Sequence, residues 1–120
     1  MSPEEFVTYL YPAARQVEQE TGIPAAAILA QVALETTWLS KPGAAIPPAQ
    51  RWMSLRQYAN DIRNEPRYRQ AVAAAARGDP ILYLAELLAA GYSDDPTYFF
   101  QVECILRRHI LPLLSQQAQA

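Results

Sequence analysis

Prolines and glycines cut this chain into pieces suited to short helices and little else. Ten prolines and four glycines are spread over 120 residues, and most of the prolines fall where a helix would begin or end. SPEEF (2–6) offers Ser2 as an N-cap, Pro3 at the first helical position and Glu5 as the reciprocal member of a capping box. Phe6, Leu10, Ala13 and Val17 then recur on one face as far as Gly22, with Pro12 inside the segment as a kink or a break. A second helix is predicted from Pro24 to about Trp38. KPGAAIPPAQ (41–50) is too rich in Pro and Gly for regular structure, so residues 39–53 are expected to form an irregular connector. Ser54 and Gln57 suggest a further capping box, opening a helix that carries Leu55, Tyr58 and Ile62 inward. Pro66 interrupts it, and Tyr68, Val72 and Ala75 continue to Gly78. DPILYLAELLAAG (79–91) has Asp79 as cap, Pro80 in the first turn and Gly91 at its end. DPTYFFQVECILRRHILPLL (95–114) reuses the device with Asp95 and Pro96, and SQQAQA (115–120) is expected to fray. Nothing reads as a strand. The pattern predicts an all-α fold, one compact domain of about six helices over residues 1–120.

Composition narrows the functions open to such a domain. Hydrophobic residues make up 51% and charged residues 18%, which favours a packed core over disorder. A net charge of −2 gives no reason to expect nucleic acid or an anionic membrane as partner. The arginines at 63, 67, 69, 77, 107 and 108 alternate with acids and apolar positions, as on solvated helix faces. Cys104 is the only cysteine, so no internal disulfide is expected. No apolar run approaches a membrane span. MSPEEFVTYLYP lacks the basic-then-apolar profile of a signal peptide. Synthesis in the cytoplasm is therefore expected, and work on a cell wall would need delivery by a phage particle, a holin-type route or secretion machinery. Neither a metal nor a cofactor is expected: the one histidine, His109, lies five residues from Cys104, off the spacing of two ligands on one helical face. There is no glycine-rich phosphate loop and no H-E-x-x-H.

One residue stands against the pattern. In IPAAAILAQVALETTW (23–38), Glu35 follows Ile28 by seven residues and Val32 by three, so it extends their apolar stripe. A carboxyl among apolar neighbours loses solvation of its charged form, which raises its pKa and suits it to general-acid work near neutral pH. Protonating a glycosidic oxygen is a common task for such an acid. The structural alternative is a half-exposed carboxylate in the last helical turn, paired with an arginine or a backbone group.

FVTYLYPAARQVEQETGIPAAAILAQVALETTW (6–38) resembles the opening of the glucosaminidase domain of glycoside hydrolase family 73, whose members are bacterial and phage peptidoglycan hydrolases. That family shows a helix, a T-G-I/V-P-like turn and a helix reading like I-L-A-Q-A-A-L-E-S-G-W-G. Here Thr21, Gly22, Ile23, Pro24, Ile28, Leu29, Ala30, Gln31, Leu34, Glu35 and Trp38 match it. SLRQYANDIRNEPRYRQAV (54–72) resembles the family's helix ending in N-N/E-P-R-Y, and LAAGYSDDPTYFFQV (88–102) resembles its A-G-Y-A-T-D-P-x-Y stretch. The resemblance implies a lysozyme-like helical fold with Glu35 as the catalytic acid and Tyr92 as the cleft tyrosine at the reacting centre. Trp38 and Trp52, which could stack on a sugar face or seal the core, are carried with Gln31 and Asp94 as candidate substrate-binding residues. Asp95 is accounted for as a helix cap, and Tyr98 and Phe99 are expected in the core.

The departures weigh as much as the matches. The family's small β-rich lobe, which walls the groove and supplies a second carboxylate, corresponds here to LSKPGAAIPPAQRWM (39–53), a stretch with no Asp or Glu. E-S-G-W-G has become ETTWL, with Thr36 and Thr37 where the family has Ser and Gly. Asp94, beside Tyr92, is the nearest replacement for the second acid. The sequence thus supports a peptidoglycan glycosidase acting on the β-1,4 glycan strand with Glu35 as general acid, hydrolytic or lytic. The alternative is an inactive relic that binds glycan or a protein. A protein partner or larger assembly that supplies the missing wall would fit either.

Overall fold

A computed structural model describes residues 1–40 and 48–119. Its helices are α1 (Pro3–Thr21), α2 (Ala25–Thr36), α3 (Pro48–Asn64), α4 (Arg69–Ala76), α5 (Pro80–Ala89), α6 (Tyr98–Ile105) and α7 (Leu111–Gln119). A 3-10 turn at Pro66–Tyr68 leads into α4, and a π-helical turn at Leu106–Ile110 joins α6 to α7 in one continuous run. Among the described residues there is no strand.

Local chemistry accounts for most boundaries. The Ser2–Glu5 capping box forms in both directions, and Gly22 closes α1 at a left-handed φ of 80°. Pro12 neither splits α1 nor faces the core; it sits on the exposed side, where the carbonyl it leaves unpaired meets water. Asp79 accepts from the Ile81 and Leu82 N–H groups as expected. The π turn falls just before Pro112, whose ring and missing N–H disrupt the regular ladder; the Leu111 N–H reaches back to Leu106 instead.

Three expectations need correction. Helix α3 begins at Pro48, inside the segment expected to be irregular, because a proline at the first position costs a helix nothing. Residues 41–47 of that connector lie outside the described residues. Ser54 is therefore interior to α3, and Gln57 donates to Asp61 one turn on instead of closing a capping box. Asp95 accepts from the Thr97 N–H and hydroxyl, forming a turn that precedes α6 rather than capping it.

Helix α2 is the centre of the packing. Ala25 to Gln31 and Ala33 are all buried, and their small side chains let α1, α5 and α6 approach closely. Its N-terminus lacks a side-chain cap of its own, and Glu18 of α1 supplies the acceptor, 3.1 Å from the Ala25 N–H. The core around it draws on every helix from α1 to α6.

Beyond α2 the backbone does something costly. Thr37, Trp38 and Leu39 have φ values of 51°, 58° and 61°, a left-handed turn made without glycine. Several bonds hold it: Trp38 N–H to the Ala33 carbonyl at 2.8 Å, Leu39 N–H to the Thr36 hydroxyl at 2.9 Å, and that hydroxyl to the Val32 carbonyl at 2.6 Å. Trp38 packs edge-on between Phe6 and His109, with ring centroids 5.1 and 5.4 Å away. Thr37 is exposed and β-branched, so its strain is uncompensated by burial. Thr37→Gly is expected to stabilise the protein by about 0.5–1 kcal/mol, the relief of left-handed strain exceeding the entropy that glycine adds to the unfolded chain. Urea denaturation checks this, and a destabilised variant would show that the turn is unstrained.

Candidate active site

The stripe that singled out Glu35 leads from core to surface. Ile28 is buried, Val32 is half-buried and Glu35, the last residue but one of α2, is exposed. The enclosure of Glu35 by apolar neighbours expected from the sequence is therefore not what the fold provides. Instead, Oε1 of Glu35 accepts a hydrogen bond from the Tyr98 hydroxyl at 2.8 Å and a longer one from the Tyr92 hydroxyl at 3.5 Å. Tyr98 comes from the first position of α6, and Tyr92 follows the end of α5.

Beneath the carboxylate lies a chain of polar groups. Gln31, only 2% exposed, donates through Nε2 to the Tyr98 hydroxyl at 3.3 Å. Its Oε1 accepts from the Tyr58 hydroxyl, which lies 2.8 Å from the hydroxyl of Tyr83. A phenol has one proton to give. Tyr58 gives its proton to Gln31, so Tyr83 donates to Tyr58. The bonds then run in one direction, from Tyr83 through Tyr58, Gln31 and Tyr98 to Glu35. With its two termini so engaged, the Gln31 amide requires Tyr98 to present its proton to the carboxylate.

Burial pushes the phenols of Tyr58, Tyr83, Tyr92 and Tyr98 above their ordinary range. The nearby Glu35 carboxylate adds to the effect at Tyr92 and Tyr98. All four thus remain proton donors at neutral pH.

A groove of about 210 Å³ opens over this network. Ile28, Val32 and Leu55 give it an apolar wall, and Tyr58 and Tyr92 an aromatic one, with Glu35, Gln31, Thr36 and Ser54 as its polar groups. Glu35 is the only carboxylate among those lining residues. Of the other candidates, Gln31 lines the groove from below but is tied into the network, and Asp94 is exposed on the loop after α5 and does not line it. Trp38 lies against Phe6 and His109, away from the groove lining. Trp52 is on α3, but its side chain lies outside the described residues. Among the described residues no group of His, Cys, Asp and Glu could hold a metal ion, and no helix is long and apolar enough to cross a membrane.

Tyr98 is the residue that sequence reasoning placed only in the core. It is buried, at 8% exposure, yet its hydroxyl donates to Glu35 at 2.8 Å, closer than that of Tyr92 at 3.5 Å. The signal was available: a buried tyrosine, unlike phenylalanine, needs a partner for its hydroxyl.

The raised phenols fix an alkaline limit. Their folded values lie above the unfolded value of about 10, so the stability they contribute is complete below pH 10. It is lost as pH climbs from there, because the unfolded chain releases phenol protons that the folded one retains. Chemical denaturation across pH 9–12 is expected to show this fall, with a shallower slope in Tyr98→Phe. Stability independent of pH in that window would contradict the buried network.

No protein-family model matches the chain, and no curated protein sequence does. Among solved structures, the glycoside hydrolase domain of FlgJ from Salmonella typhimurium superposes with a TM-score of 0.79. The match covers 99% of this chain and 94% of that one, at 21% sequence identity. The chain, all-α among the described residues, shares its fold with that glycoside hydrolase domain.

Proposed function

We propose that the protein is a peptidoglycan glycosidase that cleaves the β-1,4 glycan strand with Glu35 as its general acid. The observation that carries this is the Glu35 carboxyl, held by Tyr98 and Tyr92 at the edge of an aromatic-walled groove. A purely structural carboxylate has no need of a buried amide and two tyrosines aligned toward it. The shared fold with a glycoside hydrolase domain and the motif match around Glu35 and Tyr92 support the same assignment.

The single carboxylate bears on the chemistry. The transferable proton is carried by the Glu35 carboxyl, whose Oε1 accepts from the two phenols. That proton passes to the glycosidic oxygen as the bond from this oxygen to the anomeric carbon breaks. No second acid lines the groove among the described residues to activate water or form a glycosyl ester. A hydroxyl of the substrate sugar then attacks the anomeric carbon and returns its proton to the Glu35 carboxylate. The acid is regenerated and an anhydro sugar end is left, with no water consumed. Tyr92 lies where it can contact the sugar at the reacting centre.

Digestion of purified peptidoglycan with mass analysis of the fragments tests the proposal. Wild type is expected to release fragments with anhydro ends, eighteen mass units lighter than hydrolysed ones. Glu35→Gln should lower cleavage by about 10²-fold or more without a matching loss of stability. Tyr92→Phe should be milder, since it removes a contact and not the proton source. Hydrolysed reducing ends would mean that an acid outside this groove activates water. Release of no fragments at any pH, with retained glycan binding, would identify a binding protein.

Tyr98→Phe separates the network from the acid. It deletes the Tyr98 donor to Glu35 and removes the hydroxyl that accepts from the buried Gln31 amide, at a cost of about 1–3 kcal/mol. Activity should fall and the alkaline limb of the pH–rate profile, where a general acid loses its proton, should move. An unchanged profile would show that the phenol serves packing alone.

A further inference from the structure

A second depression, of about 510 Å³, adjoins the groove and shares Tyr58 and Tyr92 with it. Its character is different. The groove over Glu35 is walled by aliphatic and aromatic groups, whereas this depression is lined by Asp61, Glu65 and Arg67 together with the rings of Tyr58, Tyr68 and Tyr92. The Tyr92 ring centroid lies 6.4 Å from that of Tyr58 and 6.3 Å from that of Tyr68, so the aromatic surface is continuous from one depression to the other. The Arg67 guanidinium lies over the Tyr68 ring, its central carbon 4.7 Å from the ring centroid. The Asp61 carboxylate is oriented by the Gln57 amide, which donates to it at 2.7 Å. Among the described residues neither Arg67 nor Glu65 forms an ion pair, although both line one depression. The two signs of charge are thus held side by side without neutralising each other.

A glycan backbone of N-acetylated sugars whose lactyl carboxyls are all closed as amides has no use for such a surface, because it then carries neither ammonium nor carboxylate. The peptide attached to a peptidoglycan strand carries both. We infer that the depression bordered by Asp61, Glu65 and Arg67 is a subsite for the stem peptide of the glycan, with Arg67 taking a peptide carboxylate and the two acids taking an amino group. The inference rests on the proposed function, since the peptide reaches this depression by way of the glycan in the adjoining groove. Exposed charge pairs contribute modestly to affinity, so the subsite acts as a selector between bare and peptide-bearing strands more than as an anchor.

The test uses the full chain as Glu35→Gln, so that ligands stay intact, and measures binding of three probes by calorimetry. The probes are a peptide-bearing disaccharide, the same disaccharide stripped of peptide with its lactyl carboxyl closed as the simple amide, and the free tetrapeptide with its amine and carboxylates unblocked. The peptide-bearing disaccharide is expected to bind about tenfold more tightly than the stripped one. That ratio should collapse towards one in Arg67→Gln, in the double variant Asp61→Asn with Glu65→Gln, and at about 0.5 M salt. Equal binding of the two disaccharides, or a preference untouched by these substitutions, overturns the subsite. The proposed function is judged separately, by cleavage of peptide-free glycan with the Glu35-containing protein. Cleavage without peptide preference removes the subsite and keeps the glycosidase. An Arg67-dependent affinity for the free tetrapeptide without any glycan cleavage keeps the subsite and removes the glycosidase.

Discussion

The hydrogen bond from Tyr98 to Glu35 ends a network that ties together four helices drawn from distant parts of the sequence. Glu35 ends the central helix, Tyr98 begins α6, and Gln31 joins both to Tyr58 on α3 and Tyr83 on α5. This arrangement is available only because α2 is built almost wholly from small and aliphatic residues. Alanines bring the surrounding helices close enough for four tyrosine hydroxyls to meet one amide and one carboxylate. Each hydroxyl would be expensive to bury alone; satisfied in series they fix one another's orientation. A reactive group needs that kind of support, because a carboxyl free to rotate delivers its proton in the right direction only part of the time.

The strained turn after α2 belongs to the same design. Left-handed backbone at Thr37, Trp38 and Leu39 turns the chain directly after the last helical turn that carries Glu35. In the resembling family, glycines stand at the positions of Thr37 and Leu39, where the positive φ makes sense of them. This chain keeps the turn without them. Side-chain bonds from Thr36 and the packing of Trp38 on Phe6 and His109 provide the compensation.

Much of the fold was legible from caps and prolines, because Ser2, Asp79 and Gly22 act through bonds to residues within one turn. Boundaries failed where one residue type supports two structures. Pro48 reads as a breaker from the connector side and as a first helical position from the other. Asp95 reads as a cap but closes a turn two residues short of the helix. At the site, the odd placement of Glu35 was visible as a break in the apolar period. Its surroundings were not, because a periodicity gives the face of a helix and not how far that face runs before the core ends. Gln31 was legible as a motif position and not as the link between Tyr58 and Tyr98. Those pairings span 27 and 67 residues of sequence, and only the tertiary fold sets them.

The most direct measurement is a crystal structure of the Glu35→Gln variant with a peptidoglycan tetrasaccharide bound. The account predicts a glycan lying along the groove between α2 and α3, its central glycosidic oxygen within hydrogen-bond reach of residue 35 and a sugar face against Tyr92. A tetrasaccharide seated elsewhere, or one crossing the groove with its glycosidic oxygens out of reach of residue 35, would contradict it.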